Sequence, residues 1–250
     1  MADLRLVVDY PPLVRHRQEL GEQRRLRRRR LLIAVPVAVL VVGAAASWSA
    51  PLAVMLAGIA AFAVFFMALP GSSSVDPGHL AGVEGEAAVL ERLKQLPDDY
   101  LILNRVRLPD ETLTNGQREL DFIVAGPSGL WVVEVKNTPG HLRVQPGEKH
   151  WPLARRAGCG STPNWNAMAN PVPQARAQVE ALQRWLLMNG VDARARALIV
   201  MAHPEIAITD ADSAELPVLV RDQVAAYIEN AASRPLAGTV APRLAELRPA

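Results

Sequence analysis

Cysteine is almost absent from this 250-residue chain, which contains a single one, Cys159. A lone cysteine excludes an internal disulfide framework and any zinc site built from several thiolates, and it suits a reducing compartment. The chain also lacks the Gly-Lys-Ser/Thr loop that cradles nucleotide phosphates and the glycine fingerprint of dinucleotide-binding domains. The sequence therefore excludes disulfide-rich, zinc-thiolate and common nucleotide-binding architectures.

Charged side chains are absent from 39 consecutive residues, 31–69. A continuous helix of that length would be about 58 Å long, roughly twice the hydrocarbon thickness of a bilayer. Residues 47–51 interrupt the stretch with two serines, a Trp typical of the membrane interface and a Pro suited to a first helical turn. The sequence therefore predicts two transmembrane helices, 31–46 and 51–69, that form a hairpin.

Positive charge is concentrated before this stretch. Residues 1–70 contain nine Arg and four acidic residues, a net charge of +5, whereas residues 71–250 contain 18 basic and 21 acidic residues, a net charge of −3. Arg clusters that flank a span stay in the cytoplasm and attract anionic lipid. We therefore expect a cytosolic Arg-rich segment over 1–30, a two-pass inner-membrane topology, and a linker over 70–78 that leads to a cytoplasmic domain.

A cleaved signal peptide that ends near residue 50 is the alternative interpretation of the N-terminal region. Its basic part would be some 30 residues long, and a second apolar segment would follow the cleavage site. Neither feature is typical of secretory signals, whose basic part is short. The hairpin is therefore the preferred interpretation.

From residue 79 to about residue 230 the chain has the periodicities of a globular α/β domain. The predicted elements are a helix over 80–96, strands over 100–107, 119–125 and 130–137, a long loop over 138–169, a helix over 170–189, strands over 197–201 and 218–220, and a helix over 221–230. Asn170 is suited to cap the second helix and Gly190 to end it. The tail over 231–250 gives no clear signal.

Two acidic residues lie inside adjacent predicted strands. Asp is disfavoured within strands, yet Asp121 stands in an apolar strand segment. If residues 126–129 close a symmetric hairpin, Asp121 lies opposite Glu134, with Cβ atoms about 5 Å apart. Such facing carboxylates repel each other and lose hydration, and a divalent cation between them would remove both penalties. The alternative is that Glu134 and Lys136 form an ordinary ion pair on a solvent-facing strand surface.

A third carboxylate lies on the apolar side of the first predicted helix. Glu86 follows Val83 by three residues and precedes Leu90 by four, so it shares their helix face, whereas Glu84 does not. A Glu that faces the core needs a partner, and an ion shared with the strand carboxylates is a candidate. Gly82 and Gly85 would permit a close approach of this helix.

Four motifs, in this order along the chain, resemble the nuclease-related domain (NERD) family. They are Gly82-x-x-Gly85-Glu86, Glu119-Leu120-Asp121, Glu134-Val135-Lys136-Asn137 and Asn170-Pro171-x-x-Gln174. That family is similar to the PD-(D/E)XK, restriction-endonuclease-like nucleases, although no proline precedes Asp121 here. The resemblance covers about residues 79–190 and implies a helix, three strands, a helix and a strand around a mixed sheet.

The resemblance also implies a hydrolase that cleaves phosphodiester bonds with the help of Mg²⁺ or Mn²⁺. The implied metal ligands are Asp121 and Glu134, and the implied catalytic residues are Lys136, Glu86 and Gln174. Hard oxygen ligands suit Mg²⁺. Lys136 would orient or deprotonate the attacking water and stabilise the developing negative charge. Gln174 would contact the site or a substrate phosphate.

Substrate contacts are expected from the basic neighbourhood of the predicted long loop, which contains Arg143, Lys149, Arg155 and Arg156. The expected substrate is DNA in preference to RNA. The net charge of −3 over residues 71–250 argues against strong nonspecific binding, which needs many phosphate contacts. A non-catalytic nucleic-acid-binding module and a membrane scaffold with a vestigial acidic cluster therefore remain alternatives. Lys136 beside two carboxylates favours an enzyme, because a pure binder has no need of it.

Overall fold

The computed structural model describes residues 5–7, 10–69, 76–155 and 164–247. The chain forms two compact units. One comprises residues 11–80, and the other comprises residues 1–10 together with residues 81–250. The predicted linker lies largely outside the described residues, as do Cys159 and Arg156.

The first unit is a pair of helices, α1 (Pro11–Ala46) and α2 (Ala50–Ala68). The predicted break between them is confirmed: the N–H groups of Trp48 and Ser49 both donate to the Ala45 carbonyl oxygen, and Ser47 Oγ donates to the Ala44 carbonyl oxygen at 2.7 Å. Because α1 begins at Pro11, the Arg-rich run belongs to the same helix as the first apolar stretch.

One described helix, Leu13–Ala46, is long and apolar enough to cross a membrane. Only 6% of its most apolar stretch is buried. The second apolar helix, Ala53–Phe66, is shorter. Two transmembrane helices are predicted, but only one described helix meets these criteria of length and composition. A single long apolar helix near the N-terminus supports membrane association only weakly, because signal sequences share these properties.

The second unit contains two sheets and the remaining helices. In chain order its strands are β1 (Arg5–Leu6), β2 (Leu101–Pro109), β3 (Gln117–Gly126), β4 (Gly129–Lys136), β5 (Gly140–Arg143), β6 (His150–Arg155), β7 (Asn164–Ala169), β8 (Ala195–Met201), β9 (Ile206–Thr209) and β10 (Val218–Val220). Its helices are α3 (Pro77–Leu93, which belongs to this unit from Ala81), α4 (Val172–Met188), α5 (Val224–Glu229) and α6 (Val240–Leu244).

The larger sheet has six strands in the order β1-β2-β3-β4-β8-β10. Strands β2, β3 and β4 are antiparallel neighbours, whereas β1 runs parallel to β2, β8 to β4, and β10 to β8. The predicted mixed sheet and the order helix, three strands, helix, strand are therefore confirmed. The fold is a mixed α/β domain, consistent with a nuclease-like domain.

The prediction of a long loop over 138–169 is wrong. This region contributes β5, β6 and β7 to a second sheet, ordered β7-β6-β5-β9. Its strands have four to six residues and are interrupted by Gly, Pro and Asn, so they give little periodic signal. Strand β6 even contains Pro152, a residue that normally argues against a strand. The sequence analysis likewise does not predict strands β1 and β9 or helix α6.

Helix α4 packs on one face of the larger sheet. Its buried residues are Val172, Ala175, Gln178, Ala181, Leu182 and Leu186. The predicted cap is present, since Asn170 Oδ1 accepts a hydrogen bond from the Val172 N–H at 2.9 Å. Gly190 also ends the helix as predicted. Its φ of 73° lies in the left-handed region, which favours glycine. Helix α4 thereby carries one polar buried residue, Gln178, towards the sheet.

Candidate active site

The antiparallel pairing of β3 with β4 ends at the acidic residues. The predicted symmetric register is confirmed from Gly126–Gly129 up to Phe122–Val133. In this register the next pair would be Asp121 and Glu134. There the Asp121 side chain takes the place of a main-chain partner, because its Oδ2 accepts a hydrogen bond from the Val135 N–H at 2.7 Å. The two strands therefore separate where the carboxylates lie.

Strand β2 is distorted opposite Asp121. Its pairing with β3 passes from Asn104–Phe122 to Val106–Leu120, and Arg105 between these pairs has a φ of 52°. A left-handed non-glycine residue costs about 1–3 kcal/mol, and such residues cluster at functional sites. The distortion shifts the alternation of side chains, so that Leu103 and Val106 both join the core cluster under α4. The backbone is therefore irregular on both sides of Asp121.

Glu134 is the centre of a connected set of polar side chains. It is 1% exposed. Its Oε1 lies 2.6 Å from Lys136 Nζ, and its Oε2 accepts a hydrogen bond from Gln178 Nε2 at 2.5 Å. Lys136 Nζ also donates to Gln174 Oε1 at 3.0 Å. Gln174 and Gln178 of α4 thus hold the β4 pair Glu134–Lys136, which is not an ordinary solvent-facing ion pair.

Electrostatics place Glu86 and Asp121 in the same site. Burial raises the pKa of Glu86 to about 7; Arg105 opposes this shift, and the Glu119 and Glu134 carboxylates add to it. Burial also raises the pKa of Asp121 well above its usual value, and the charges of Glu134 and Glu86 act in the same direction. The structure therefore brings Glu86, Asp121 and Glu134 close enough for mutual repulsion.

Helix α3 is held against the end of β4 by Asn137 and Gly85. The Asn137 Nδ2 donates to the Ala81 carbonyl oxygen at 2.6 Å. A Cβ placed on Gly85 would lie 2.5 Å from the Asn137 Cβ, whereas one on Gly82 would meet nothing within 4 Å. The expected close approach is therefore confirmed for Gly85 and wrong for Gly82. Glu86 owes its position to this contact.

Gly85→Ala is expected to destabilise the protein and to weaken any activity of the acidic site, because α3 must move away from β4 and carry Glu86 with it. Gly82→Ala is the matched control on the same helix. It should be neutral or should raise the free energy of unfolding by up to about 1 kcal/mol, as expected for Gly→Ala in an open helix position. Thermal unfolding of both variants checks this. Equal melting temperatures would contradict the close packing.

Three buried side-chain atoms in the described residues have no hydrogen-bond partner: Tyr10 Oη, Glu86 Oε2 and Gln178 Oε1. Buried polar groups are nearly always satisfied in native proteins, so their occurrence around one site needs an explanation. Glu86 interacts electrostatically with Glu134, Gln178 is bonded to Glu134, and Tyr10 interacts electrostatically with Glu86. The unsatisfied atoms therefore surround the acidic residues, where a ligand or water would satisfy them.

The side chains present fit Mg²⁺ better than a softer metal. The described residues contain no group of three or more His, Cys, Asp or Glu side chains arranged to hold a metal ion. Mg²⁺ does not require such a cage, because it is usually bound by one or two carboxylates together with waters and substrate phosphates. Asp121 and Glu134, with the unsatisfied oxygens nearby, match that requirement.

Comparison with protein families gives a match over the region that contains this site. Residues 81–202 match the model of the nuclease-related domain, NERD. This match supports the resemblance to the NERD family and suggests a nuclease-like function. It covers just under half of the chain and includes every acidic residue of the site together with Gln174 and Gln178. No curated protein and no solved structure is a significant match.

Within the matched region, Gln178 is the site residue that the sequence analysis does not predict. A signal was available: Gln178 stands four residues after Gln174, on the same helix face, and interrupts the apolar stripe formed by Ala175, Ala181 and Leu182. A Gln in such a stripe needs a buried partner, just as Glu86 does. The structure supplies that partner as Glu134.

Gln178→Leu is expected to lower the free energy of unfolding by roughly 1–3 kcal/mol, because it removes the hydrogen bond to the buried Glu134 carboxylate. Gln174→Leu, one turn earlier and exposed, is the matched control for stability and should cost less than about 0.5 kcal/mol. Chemical denaturation of both variants measures the difference. Similar losses for the two variants would mean that Gln178 does not support Glu134.

The basic residues expected to contact substrate are not brought to one face. Arg143 and Arg155 lie on neighbouring strands of the second sheet, where the register pairs His141 with Ala154. Strand alternation therefore places the two arginines on opposite faces. Arg143 is also paired with Asp210, at 3.1 Å, and Lys149 is exposed in the β5–β6 connection. The structure does not describe Arg156.

Proposed function

We propose that the NERD-like domain is a nuclease that hydrolyses phosphodiester bonds in DNA, or in RNA, with the help of Mg²⁺ or Mn²⁺. The observation that carries the proposal is the separation of β3 from β4 at Asp121 and Glu134, with Lys136 Nζ 2.6 Å from the Glu134 carboxylate. Two buried carboxylates and one cation, in a region that matches a nuclease-related family, support phosphodiester hydrolysis over other reactions.

The roles of the residues follow from their chemistry. Asp121 and Glu134, with the main-chain carbonyl of Val135, would hold the metal ion, which supplies positive charge for the phosphoryl oxygens and an acidified water. An ammonium group has three N–H donors. Lys136 can therefore bind a phosphate oxygen or the attacking water while it keeps its contact with Gln174. Glu86 would complete the acidic cluster.

A non-catalytic nucleic-acid-binding module is the second candidate, and one observation favours it. Both oxygens of Glu134 already have protein partners, Lys136 and Gln178. Such a set is electrostatically satisfied without a metal ion, so a domain that has lost catalysis could keep it as a structural element. The two candidates predict different outcomes when metal and substrate are supplied.

The experiment that separates them is cleavage of labelled single- and double-stranded DNA and RNA by the full chain in detergent, with Mg²⁺, Mn²⁺ or EDTA. The full chain is needed because β1, at residues 5–6, belongs to the larger sheet. Cleavage that requires the metal supports the nuclease. Binding without cleavage under all conditions would favour the binding module, and neither activity would favour a scaffold.

We also propose that the chain is tethered to the inner membrane by two crossings, with its domain in the cytoplasm. Strand β1 pairs with β2, so residues 5–10 and residues 81–250 form one unit. Both must lie on the same side of a membrane, which requires an even number of crossings in between. The exposed arginines over residues 24–30 would contact anionic lipid headgroups on the cytoplasmic side.

Cysteine labelling in intact cells tests this topology in a background in which Cys159 is replaced by Ser. Ser49→Cys, in the turn between α1 and α2, should react with an impermeant reagent added from outside. Glu111→Cys, on the exposed surface of the domain, should react only after permeabilisation. Labelling of Glu111→Cys in intact cells would contradict the cytoplasmic orientation, and failure to label Ser49→Cys would contradict the hairpin.

A further inference from the structure

The left-handed conformation of Arg105 is unusual among the described non-glycine residues. One other of them, Asp210, also has a positive φ, but Asp adopts that conformation more readily than Arg does. In the register of β2 with β3, Arg105 is the residue opposite Asp121, since it stands between two regular pairs. Strained residues of this kind cluster at functional sites. The side-chain contacts of Arg105 therefore bear on what the acidic site binds.

Two arginines of β2 hold the same carboxylate, that of Glu119 on β3. Arg105 Nε donates to Glu119 Oε1 at 3.2 Å, and Arg107 donates to Glu119 Oε2 through both Nε and Nη2, each at 3.2 Å. Because both guanidinium groups reach one carboxylate, they lie on the same side of the sheet. We call Arg105, Arg107 and Glu119 the arginine cluster. It carries two positive charges and one negative charge.

The arginine cluster adjoins the acidic site. The main-chain carbonyl oxygen of Glu119 accepts a hydrogen bond from Gln178 Nε2 at 3.3 Å, and the same amide group donates to Glu134 Oε2. The charge of Arg105 also lowers the pKa of Glu86, against the larger effect of burial. One glutamine therefore links the strand that carries Glu119 to the central carboxylate of the site.

The arginine cluster is open to solvent at one end. The side chains of Arg107 and Glu119 are 48% and 37% exposed, whereas that of Arg105 is 14% exposed. A guanidinium group has five N–H donors, in a fork that matches carboxylate and phosphate oxygens alike. The two arginines are thus arranged around an oxyanion, and a phosphate group that enters from solvent can compete with Glu119 for them.

The cluster also supplies positive charge where a phosphodiester needs it. The carboxylates of Glu86, Asp121 and Glu134 repel a phosphate group, and Lys136 is the cation that contacts them. The basic residues predicted to contact substrate lie instead on and around the second sheet, and they do not share one face. The side of β2 therefore offers the better path for a nucleic-acid backbone.

We propose that Arg105 and Arg107 bind a backbone phosphate of the nucleic acid held at the acidic site, and that this phosphate displaces Glu119; the inference rests on the proposed function. The backbone then runs along the β2 side of the site rather than over the second sheet. In the free protein Glu119 keeps both guanidinium groups in place, which reduces the conformational entropy that they lose on binding. The same carboxylate competes with the phosphate and so limits the affinity.

Fluorescence anisotropy of a labelled single-stranded DNA oligonucleotide with the full chain, in detergent and EDTA, tests this binding in the absence of metal-dependent cleavage. Arg105→Gln and Arg107→Gln should each weaken binding about tenfold, the loss of one hydrogen bond to a charged group. Each should also reduce the slope of log affinity against log salt concentration by about 0.7, as expected for one lost phosphate contact. Glu119→Gln should strengthen binding several-fold, because it frees both arginines.

Arg243→Gln is the matched control. Arg243 also donates to a glutamate, Glu246, at 3.0 Å and is 43% exposed, but it lies in α6. Its replacement should change neither the affinity nor the salt slope. Equal effects of Arg243→Gln and Arg107→Gln would overturn the proposal. Binding that is not strengthened by Glu119→Gln would also overturn it, since the arginines would then only hold that carboxylate in place. So would a wild type that binds no oligonucleotide at low salt.

Two features keep the test decisive. Arg107→Gln and Glu119→Gln change partly exposed side chains, so they answer the question even if Arg105→Gln fails to fold. Failure of the nuclease is also distinguishable from failure of this inference. A wild type that binds through the arginine cluster but does not cleave with Mg²⁺ would refute the nuclease alone. Cleavage by a protein whose affinity is unchanged by the cluster substitutions would refute the phosphate contact alone.

Discussion

Asp121→Asn is expected to abolish divalent-metal binding at the acidic site and all metal-dependent cleavage, without unfolding the protein. The amide removes the negative charge that would hold the ion, while its oxygen can still accept the hydrogen bond from the Val135 N–H. Loss of a metal ligand should remove most of the rate enhancement, because electrostatic stabilisation of the transition state is usually the largest contribution to catalysis. The measurements are Mn²⁺ calorimetry and cleavage of labelled DNA.

The same substitution should leave the melting temperature unchanged or raise it. Because the pKa of Asp121 is raised in the folded state, ionisation of this group opposes folding. Its contribution to stability falls as the pH rises from the unfolded-state value of about 4 towards the raised folded-state value. Asn carries no charge, so at neutral pH it avoids this loss. Function and stability are expected to change in opposite directions at this position.

Asp110→Asn is the matched control, because the pKa of Asp110 is shifted in the opposite direction. Hydrogen bonds from Thr112 and Arg118 lower the pKa of Asp110 to about 2. The stability contributed by this ionised group is present above the unfolded-state value of about 4 and is lost as the pH falls from about 4 towards 2. At pH 7, Asp110→Asn should therefore lower the melting temperature and retain cleavage. Loss of stability in Asp121→Asn comparable to that in Asp110→Asn would contradict the electrostatic account.

Lys136→Ala is expected to lower the cleavage rate about a hundredfold or more while metal still binds. This is the scale of removing one group that stabilises negative charge in the transition state. The carboxylates remain, and Glu134 Oε1 loses its competing cation, so the metal affinity should stay the same or rise. Measurement of the metal affinity and of kcat for the same preparation separates the two effects.

Lys94→Ala is the control for this prediction. Lys94 also lies 2.6 Å from a glutamate oxygen, that of Glu91, but in the turn that follows α3, away from the acidic site. Its removal should change neither rate nor metal affinity, because exposed ion pairs contribute at most about 1 kcal/mol to stability. Cleavage that survives Lys136→Ala unchanged would place the active site elsewhere. A wild type that binds metal and nucleic acid but never cleaves would favour the binding module.

The acidic pair could be located from the sequence because it depends on local geometry. The loop over 126–129 determines the register of the hairpin, and the register determines which residues face each other. Glu86 could be assigned to the buried face of its helix from helical spacing alone. Gln178 carried the same kind of signal. These inferences need only the period of one element or the length of one turn.

Other features depend on contacts between distant parts of the chain, which a single sequence does not encode locally. The left-handed conformation of Arg105 is imposed by the sheet around it, since Arg has no preference for that conformation. The burial of Tyr10 depends on the pairing of residues 5–6 with residues 102–103, almost a hundred positions away. Strands β5 to β7 are short and rich in turn-forming residues, so their pairing rather than their composition defines them.

The position of Mn²⁺ in crystals of the full chain is the most direct test of the account, because anomalous scattering locates the ion independently of activity. One Mn²⁺ is expected about 2.0–2.6 Å from carboxylate oxygens of both Asp121 and Glu134. Lys136 should then have moved from its present 2.6 Å contact with Glu134 Oε1. Crystals grown in saturating Mn²⁺ that show no ion at this pair, with the Lys136–Glu134 contact intact, would contradict the central claim that these residues form a metal-dependent active site.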